Sequence, residues 1–187
     1  RWRQDIVFSE NILGDDYTFH STWGIFSPRS VDEGSRLLLE HVDFKPTDNC
    51  LDVGCGYGVL GMVCARKAPH GVSVLLDKDF VAVDYARKNC QLNGLNNTEV
   101  FLSNGFSHVG DRKFDIILSN LPAKVTNEQH YLYLYDAFER LAPGGRFYVV
   151  TINGLRDFIA RTFKEVFGNY SKLKQGKVYT VAMAEKR

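Results

Sequence analysis

Asn49-Cys50-Leu51-Asp52-Val53-Gly54-Cys55-Gly56-Tyr57-Gly58-Val59-Leu60-Gly61-Met62 is the stretch whose reading decides the fold. Cys50 to Val53 reads as a buried strand, the three glycines at alternate positions as a turn, and the residues from about Val59 as a helix. Glycine permits φ > 0 and lets a ligand approach where a Cβ would stand in the way. The free N–H groups at the helix start can take a carboxylate or phosphate. A small ligand is therefore expected on this loop. Dinucleotide folds seat a pyrophosphate with G-x-G-x-x-G, whereas here the order is Asp-x-Gly-x-Gly-x-Gly, with a carboxylate two residues before the first glycine. That charge repels a pyrophosphate and suits a cationic amino group. The alternative for Asp52 is a cap on the helix.

The next stretch supports a nucleoside-like ligand. Val72 to Asp77 is a second strand, ending on the acid at the separation where Rossmann-like folds hold ribose hydroxyls. The Asp-x-Gly-x-Gly-x-Gly loop followed by this acid resembles motif I of the class I S-adenosylmethionine-dependent methyltransferases. Their cofactor carries an ammonium, a sulfonium and no phosphate.

Upstream, alternating patterns in the first twenty-five residues, such as Tyr17-Thr18-Phe19-His20 and Trp23-Gly24-Ile25-Phe26, predict a small β-hairpin at one edge. Ser30 and Glu33 have capping-box spacing and predict a helix through about Val42. Downstream of the glycine loop, Pro69-His70-Gly71 ends the first long helix at about Ala68. Asp79 can cap the next, with Val83, Ala86 and Cys90 on one face and Asn93-Gly94 closing it. Val100 to Leu102 is a third strand. Phe114 to Ser119 is a fourth, almost wholly apolar, as at the centre of a parallel sheet. Thr126 and Gln129 have capping-box spacing before a helix expected to turn Tyr131, Leu134, Tyr135, Phe138 and Leu141 inward. Pro143-Gly144-Gly145 is expected to turn into a fifth strand, Arg146 to Thr151. An amphipathic helix over Leu155 to Phe167 stops at Gly168, and two strands flank Gln175-Gly176.

Strands alternating with helices and ending in a hairpin imply an α/β fold: a Rossmann-like, doubly wound, mostly parallel seven-stranded sheet with an antiparallel C-terminal hairpin and a small N-terminal β extension. One domain over 1–187 is expected, with the β extension over 1–28 and the Rossmann-like core over 29–187. The chain begins at Arg1 rather than Met, which leaves a preceding segment open. Its 44% hydrophobic and 24% charged fractions are those of an ordinary globular protein. No apolar run approaches the length of about 18 residues that spans a bilayer, and no signal peptide is visible. Cys50, Cys55, Cys64 and Cys90 show no CxxC spacing, which argues against structural zinc and for a reducing, cytoplasmic setting. Cys55 reads as a small filler rather than a nucleophile. The five histidines lie in no ligand spacing and are assigned surface or loop positions. Formal net charge is +1, but residues 156–187 hold eight Lys/Arg against three Asp/Glu. Such a basic face suits an anionic partner such as RNA or a merely solvated surface.

Ligands of open α/β sheets sit beyond the carboxyl ends of the strands. That rule gathers the loops Asp52 to Gly58, Asp77, Ser103 to Phe106 and Ser119 to Ala123 on one rim. In the last, Asn120 Oδ1 and the carbonyl of Leu121 can each accept one hydrogen of an exocyclic amino group. Holding both hydrogens favours pyramidal nitrogen and aims its lone pair at an electrophilic methyl, catalysis by orientation and electrostatics that requires no general base. A plain strand-end cap is the alternative for Asn120.

Here the chain resembles the amino-methyltransferases with an Asn-Pro-Pro-aromatic motif, and among them the ribosomal RNA small-subunit (guanine-N2-)-methyltransferases and their single-domain archaeal relatives. The likeness covers roughly residues 12–187, through Gly24-Ile25-Phe26-Ser27, Asp32-x-Gly34-Ser35-x-x-Leu38-Leu39, the glycine loop, Phe114 to Asn120, and the tail Val166 to Asn169 with Gly176 to Tyr179. It implies S-adenosyl-L-methionine as cofactor, held by Phe26, Ser35, Asp52, Gly54, Cys55, Gly56, Gly58, Asp77, Lys78, Asn104, Gly105, Phe106 and Asn120. It implies methyl transfer at Asn120, Leu121 and Pro122, no metal, no membrane, RNA as partner with ribosomal RNA first, and a monomer or weak homodimer. Asn120-Leu121-Pro122-Ala123 departs from the family pattern. The leucine keeps the needed carbonyl, but the alanine removes a ring that stacks on the flipped base, worth about 1–3 kcal/mol. Either Phe26, Trp23 or Tyr131 supplies the stack, or the substrate is not the family's usual one. The rival readings are an N-methyltransferase of a protein amide or small-molecule amine, and an inactive cofactor-binding RNA or assembly module.

Overall fold

Three apolar runs whose side chains are buried on both faces form the centre of the sheet: β3 (Cys50–Val53), β4 (Ser73–Asp77) and β6 (Phe114–Asn120). The computed structural model describes residues 4–123 and 127–187. Around that centre stand β5 (Thr98–Leu102), β7 (Leu141–Ile152), β8 (Ser171–Gln175) and β9 (Tyr179–Glu185), in the order β5-β4-β3-β6-β7-β9-β8. The first five strands run parallel; β9 is antiparallel to both β7 and β8. A separate hairpin, β1 (Ile6–Ile12) with β2 (Asp15–Ser21), completes the strands. The seven-stranded mixed sheet and the N-terminal β extension are as expected.

Helices cover both faces. On one side α1 (Glu33–Leu39), α2 (Val59–Lys67), α3 (Phe80–Leu92) and the hairpin share a core that includes Phe19, Leu38, Met62, Val63 and Ala86. On the other, α4 (Asn127–Glu139) and α5 (Arg156–Phe167) pack on Ile117, Leu134, Phe147 and Phe163. Because α2 lies between the sheet and its neighbours, every residue from Val59 to Ala65 is buried.

Two asparagines one helical turn apart tie the hairpin to this frame. Asn89 accepts from the backbone N–H of His20 at 2.8 Å and donates to the carbonyls of His20 and Tyr57 at 2.9 and 2.8 Å. Asn93 accepts from Thr18 N–H at 3.0 Å and donates back to the Thr18 carbonyl at 2.8 Å. Thr18 and His20 point their backbone groups to the same side of β2, so the α3 amides stand where a neighbouring strand would pair.

Three local readings change. The cap of α1 is Asp32, whose Oδ2 accepts from Ser35 N–H at 3.1 Å, while the Ser30 carbonyl is taken by Ser27 and Tyr57 hydroxyls. That helix ends at Leu39 rather than Val42, because its last turn tightens into i→i−3 bonds from His41 and Val42. Strand β7 begins at Leu141: Pro143-Gly144-Gly145 forms an irregularity inside it, with Gly144 and Gly145 bonded to the backbone of Lys186. The capping pair read at Thr126 and Gln129 involves a residue outside those described. The predicted caps at Asp79 and Gly94 are present, the former accepting from Val81 N–H at 2.9 Å and the latter at φ +66°.

Candidate active site

The parallel strands bring their carboxyl ends to one rim, with Val53 beside Leu76, Asp77 beside Leu102, and Asn120 beside Val150. Strand β9 starts there, Tyr179 pairing with Ile152. All four predicted loops open onto this rim.

The glycine turn follows directly from its sequence. Gly54, Gly56 and Gly58 all have positive φ, at +75°, +55° and +111°. A Cβ added to Gly54 would meet nothing within 4 Å, and one at Gly56 only Ile25 Cγ2 at 3.9 Å, so the turn borders open space that a ligand can fill. Gly58 differs: its vacant side faces Met62 and Ala86, so its role is to let α2 start against α3. Asp77 ties the turn to β4, its Oδ2 accepting from Gly56 N–H and its Oδ1 from Asp79 N–H, both at 2.9 Å. Beyond it a cavity of about 380 Å³ is lined by Lys78, Leu102, Ser103, Asn104, Ser107 and His108. An open cradle, an adjoining carboxylate and this cavity fit a small nucleoside-bearing cofactor such as S-adenosylmethionine.

Asp52 lies deeper than the turn. It is 1% exposed and its Oδ2 accepts from Gly61 N–H at 2.8 Å, the helix-capping role considered from sequence. Its Oδ1 is buried without a hydrogen-bond partner. Burial first, and the Asp77 charge to a smaller degree, push its pKa up to about 7 against the Gly61 bond. Cys55 is buried, and burial raises its thiol well above the ordinary range, consistent with a filler. The Phe106 ring is also away from the rim, packed 5.1 Å from Tyr133 in the second core.

Asn120 closes β6 at the rim. Its Nδ2 donates to Asp32 Oδ2 at 2.9 Å and to Ser35 Oγ at 3.1 Å. A carboxylate only accepts, so the amide nitrogen is the end that must face Asp32, and Oδ1 is the end left for a ligand. Leu121 is buried and its N–H is fixed by the Val150 carbonyl at 3.0 Å. The Pro122 carbonyl accepts from His130 Nε2 at 2.9 Å. Ser119 Oγ and Tyr133 OH lie 2.8 Å apart behind the motif.

Sequence reasoning missed two of these residues. His130, assigned to the surface, is 1% exposed, with Nδ1 lacking a partner. The inner face of α4 runs through His130, Tyr133, Leu134 and Ala137, while Tyr131 and Tyr135 point outward. Asp32 stood inside a quoted motif but carried no role. The polar pair Asp32 and Ser35, three apart at the start of a helix, was the available signal. Of the three aromatics expected to replace the ring, Phe26 is 69% exposed and Trp23 59%, with the Arg29 guanidinium 4.6 Å over the Trp23 ring. The Phe26 segment is anchored beside the turn by Tyr57, whose hydroxyl donates to the Ser27 carbonyl at 2.9 Å. Among the described residues, no cluster of three metal-ligating side chains occurs and no helix is long and apolar enough to cross a membrane.

The comparisons agree with this geometry. The profile of the methyltransferase small domain family matches residues 16–183. The chain is 30% identical to the uncharacterised protein YbxB of Bacillus subtilis over 184 residues, 96% of this chain and 91% of that one. It is 37% identical to ribosomal RNA small subunit methyltransferase C of Pseudomonas syringae pv. syringae over 137 residues, 71% of this chain and 41% of the relative. Among solved structures, the 16S rRNA N2 G1207 methyltransferase RsmC of Thermus thermophilus, in complex with AdoMet and guanosine, superposes with a TM-score of 0.88 at 32% identity. That match takes in 98% of this chain and 51% of the Thermus chain, so this chain spans about half the length of those ribosomal RNA methyltransferases.

Proposed function

The chain belongs to the methyltransferase small domain family, as an S-adenosylmethionine-dependent methyltransferase, and from that premise we propose that it methylates the exocyclic N2 amine of a guanine in ribosomal RNA. The observation that carries this reading is the Asn120 amide, both of whose Nδ2 hydrogens are spent on Asp32 and Ser35 so that Oδ1 is offered as an acceptor. The relatives named for ribosomal RNA support the substrate class.

When bound, the cofactor supplies a methyl group made electrophilic by its sulfonium. Gly54 and Gly56 would border its cradle, Asp77 would take its ribose hydroxyls, and Lys78 and Asn104 would stand at the adjoining cavity, with Gly105 in the same loop. Phe26 and Ser35 would flank it from the N-terminal side. Asp52 acts beneath the turn, keeping Gly61 and hence the start of α2 in place. Asn120 Oδ1 and the Leu121 carbonyl accept the two hydrogens of the amine, which draws the nitrogen out of conjugation and directs its lone pair. Pro122, tied to His130, fixes the turn that holds both acceptors. The nitrogen releases its proton to solvent once it is cationic. The target base has to be unpaired or flipped to reach this rim, and Phe26 or Trp23 provides the ring absent at Ala123.

Transfer of labelled methyl to total RNA, ribosomal subunits and protein extract, followed by nucleoside analysis, tests the assignment. Label in N2-methylguanosine supports it. Label confined to protein or small amines overturns the RNA assignment and favours the second reading, an N-methyltransferase of another amine, for which Ala123 and the formal net charge of +1 speak. Asn120→Ala is expected to abolish transfer while calorimetric binding of the cofactor stays within about threefold of wild type. An unchanged rate in that variant rejects the role of Asn120.

A further inference from the structure

We propose that Asp32 is a positioning residue for methyl transfer, locking the Asn120 amide in the one orientation that presents an oxygen to the substrate amine; the inference rests on the amine-methylation reading above. Three hydrogen bonds build the lock. Asp32 Oδ2 receives Asn120 Nδ2 at 2.9 Å and Ser35 N–H at 3.1 Å, and the second hydrogen of the same amide goes to Ser35 Oγ at 3.1 Å. On the other side, Asp32 Oδ1 accepts from Tyr179 OH at 3.4 Å.

The physical case is one of symmetry breaking. A carboxamide has nearly the same shape when its oxygen and nitrogen exchange places, so a strand-end Asn with neutral neighbours can present either end. Presenting N–H groups to an amine would repel the hydrogens that the reaction needs held. An ionised carboxylate has no proton to give, so it accepts the amide nitrogen and rejects the flipped amide oxygen by lone-pair repulsion. Ser35 Oγ takes the remaining hydrogen, which leaves the amide no rotational freedom worth populating. The lock is long-range: Asp32 and Asn120 are 88 residues apart in the chain. Tyr179 adds a third segment, the first residue of β9, so the amide is gripped from the N-terminal helix and backed from the C-terminal hairpin.

Asp32→Ser is the informative substitution. Serine caps a helix as well as aspartate does, so Ser35 N–H keeps an acceptor and the fold is retained. What changes is the lock, because the hydroxyl sits one atom nearer the backbone than the carboxylate oxygen that serves both Ser35 and Asn120, and a hydroxyl donates as well as accepts, so it does not reject a flipped amide. The expected result is a kcat lower by about tenfold to a hundredfold, with KM for the acceptor and Kd for S-adenosylmethionine within about twofold of wild type. Asp32→Asn, whose amide oxygen can serve Ser35 N–H and Asn120 from the same shared position, is expected to keep most of the wild-type kcat.

A structural readout accompanies the kinetics. In 15N-labelled protein the Asn120 side-chain NH2 pair, identified by its disappearance in Asn120→Ala, is expected to exchange slowly in wild type and to lose that protection in Asp32→Ser. An unprotected pair in wild type overturns the inference whatever the activity. A wild-type kcat in Asp32→Ser overturns it as well. If the label in the transfer assay reaches a protein or small amine instead of RNA, the RNA assignment falls, and the same kcat comparison on that acceptor decides the role of Asp32. If no acceptor is labelled at all, the role of Asp32 in transfer falls together with the function.

Discussion

Burial of Asp52 beneath the glycine turn makes its charge costly to the native state. Its pKa of about 7 stands above the 3.8 of an unperturbed aspartate. Between about pH 4 and pH 7 the native state therefore keeps a proton that the unfolded chain has lost, and stability falls as pH rises through that window. The full cost, on the order of 4 kcal/mol at its upper bound, is present above pH 7. Asp52→Asn retains an oxygen for Gly61 N–H and removes the titration. Denaturant unfolding across that range is expected to show a flattened pH slope and a higher midpoint near pH 8, and a slope equal to wild type would show that Asp52 does not titrate there. At this scale the sequence disclosed residues whose role follows from their immediate neighbours. Gly54, Gly56, Asp77 and Asn120 were legible because strand ends and glycine spacing place them without tertiary knowledge. Asp32 was quoted but given no role, because the partner that defines it is 88 residues away. Phe106 lends its backbone to a rim loop while its ring packs inward on Tyr133, a split that sequence alone does not reveal.

The link between β6 and α4 shows how one helix fixes a loop that has no regular hydrogen bonds of its own. His130 donates from Nε2 to the Pro122 carbonyl, and its ring lies 5.9 Å from that of Phe158 on α5. His130→Phe keeps a ring of similar width in the buried site and deletes the donor. The Pro122 carbonyl loses its partner at a cost of about 1–3 kcal/mol, and kcat is expected to fall more than Tm suggests, because the acceptor geometry at Leu121 loosens. A variant with wild-type kcat would mean that the loop is held without His130. The sequence turned Leu134 and Phe138 inward, as found, and misread Tyr131 and Tyr135, which are exposed. Tyr131 and Tyr135 satisfy helical spacing beside Leu134 as well as His130, Tyr133 and Ala137 do. Tyrosine is amphipathic, so period alone cannot choose between the stripes. The choice is made in three dimensions by Ser119, which gives the Tyr133 hydroxyl a partner at 2.8 Å, and by the Pro122 carbonyl.

For the molecule as a whole, alternation of apolar strands and amphipathic helices sufficed to read the parallel sheet and its antiparallel end, since each signal is local and handedness rules prune the remainder. The attachment of the N-terminal hairpin was not legible, because it depends on buried polar side chains that a hydrophobic pattern leaves out. Asn89 is fully buried and serves three backbone groups at once, on His20 and Tyr57. Asn89→Ala strands those groups and is expected to cost about 2–4 kcal/mol in chemical denaturation, whereas a loss below about 1 kcal/mol would mean that water replaces the amide freely. The hairpin is a two-stranded ribbon, and such a ribbon ordinarily offers two unpaired edges on which another chain can add a strand. With Asn89 and Asn93 occupying the outer backbone groups of β2, one of those edges is closed to intermolecular pairing. The same two amides that dock the hairpin thereby act as a guard against aggregation, and their joint removal opens a template for self-association as well as weakening the fold.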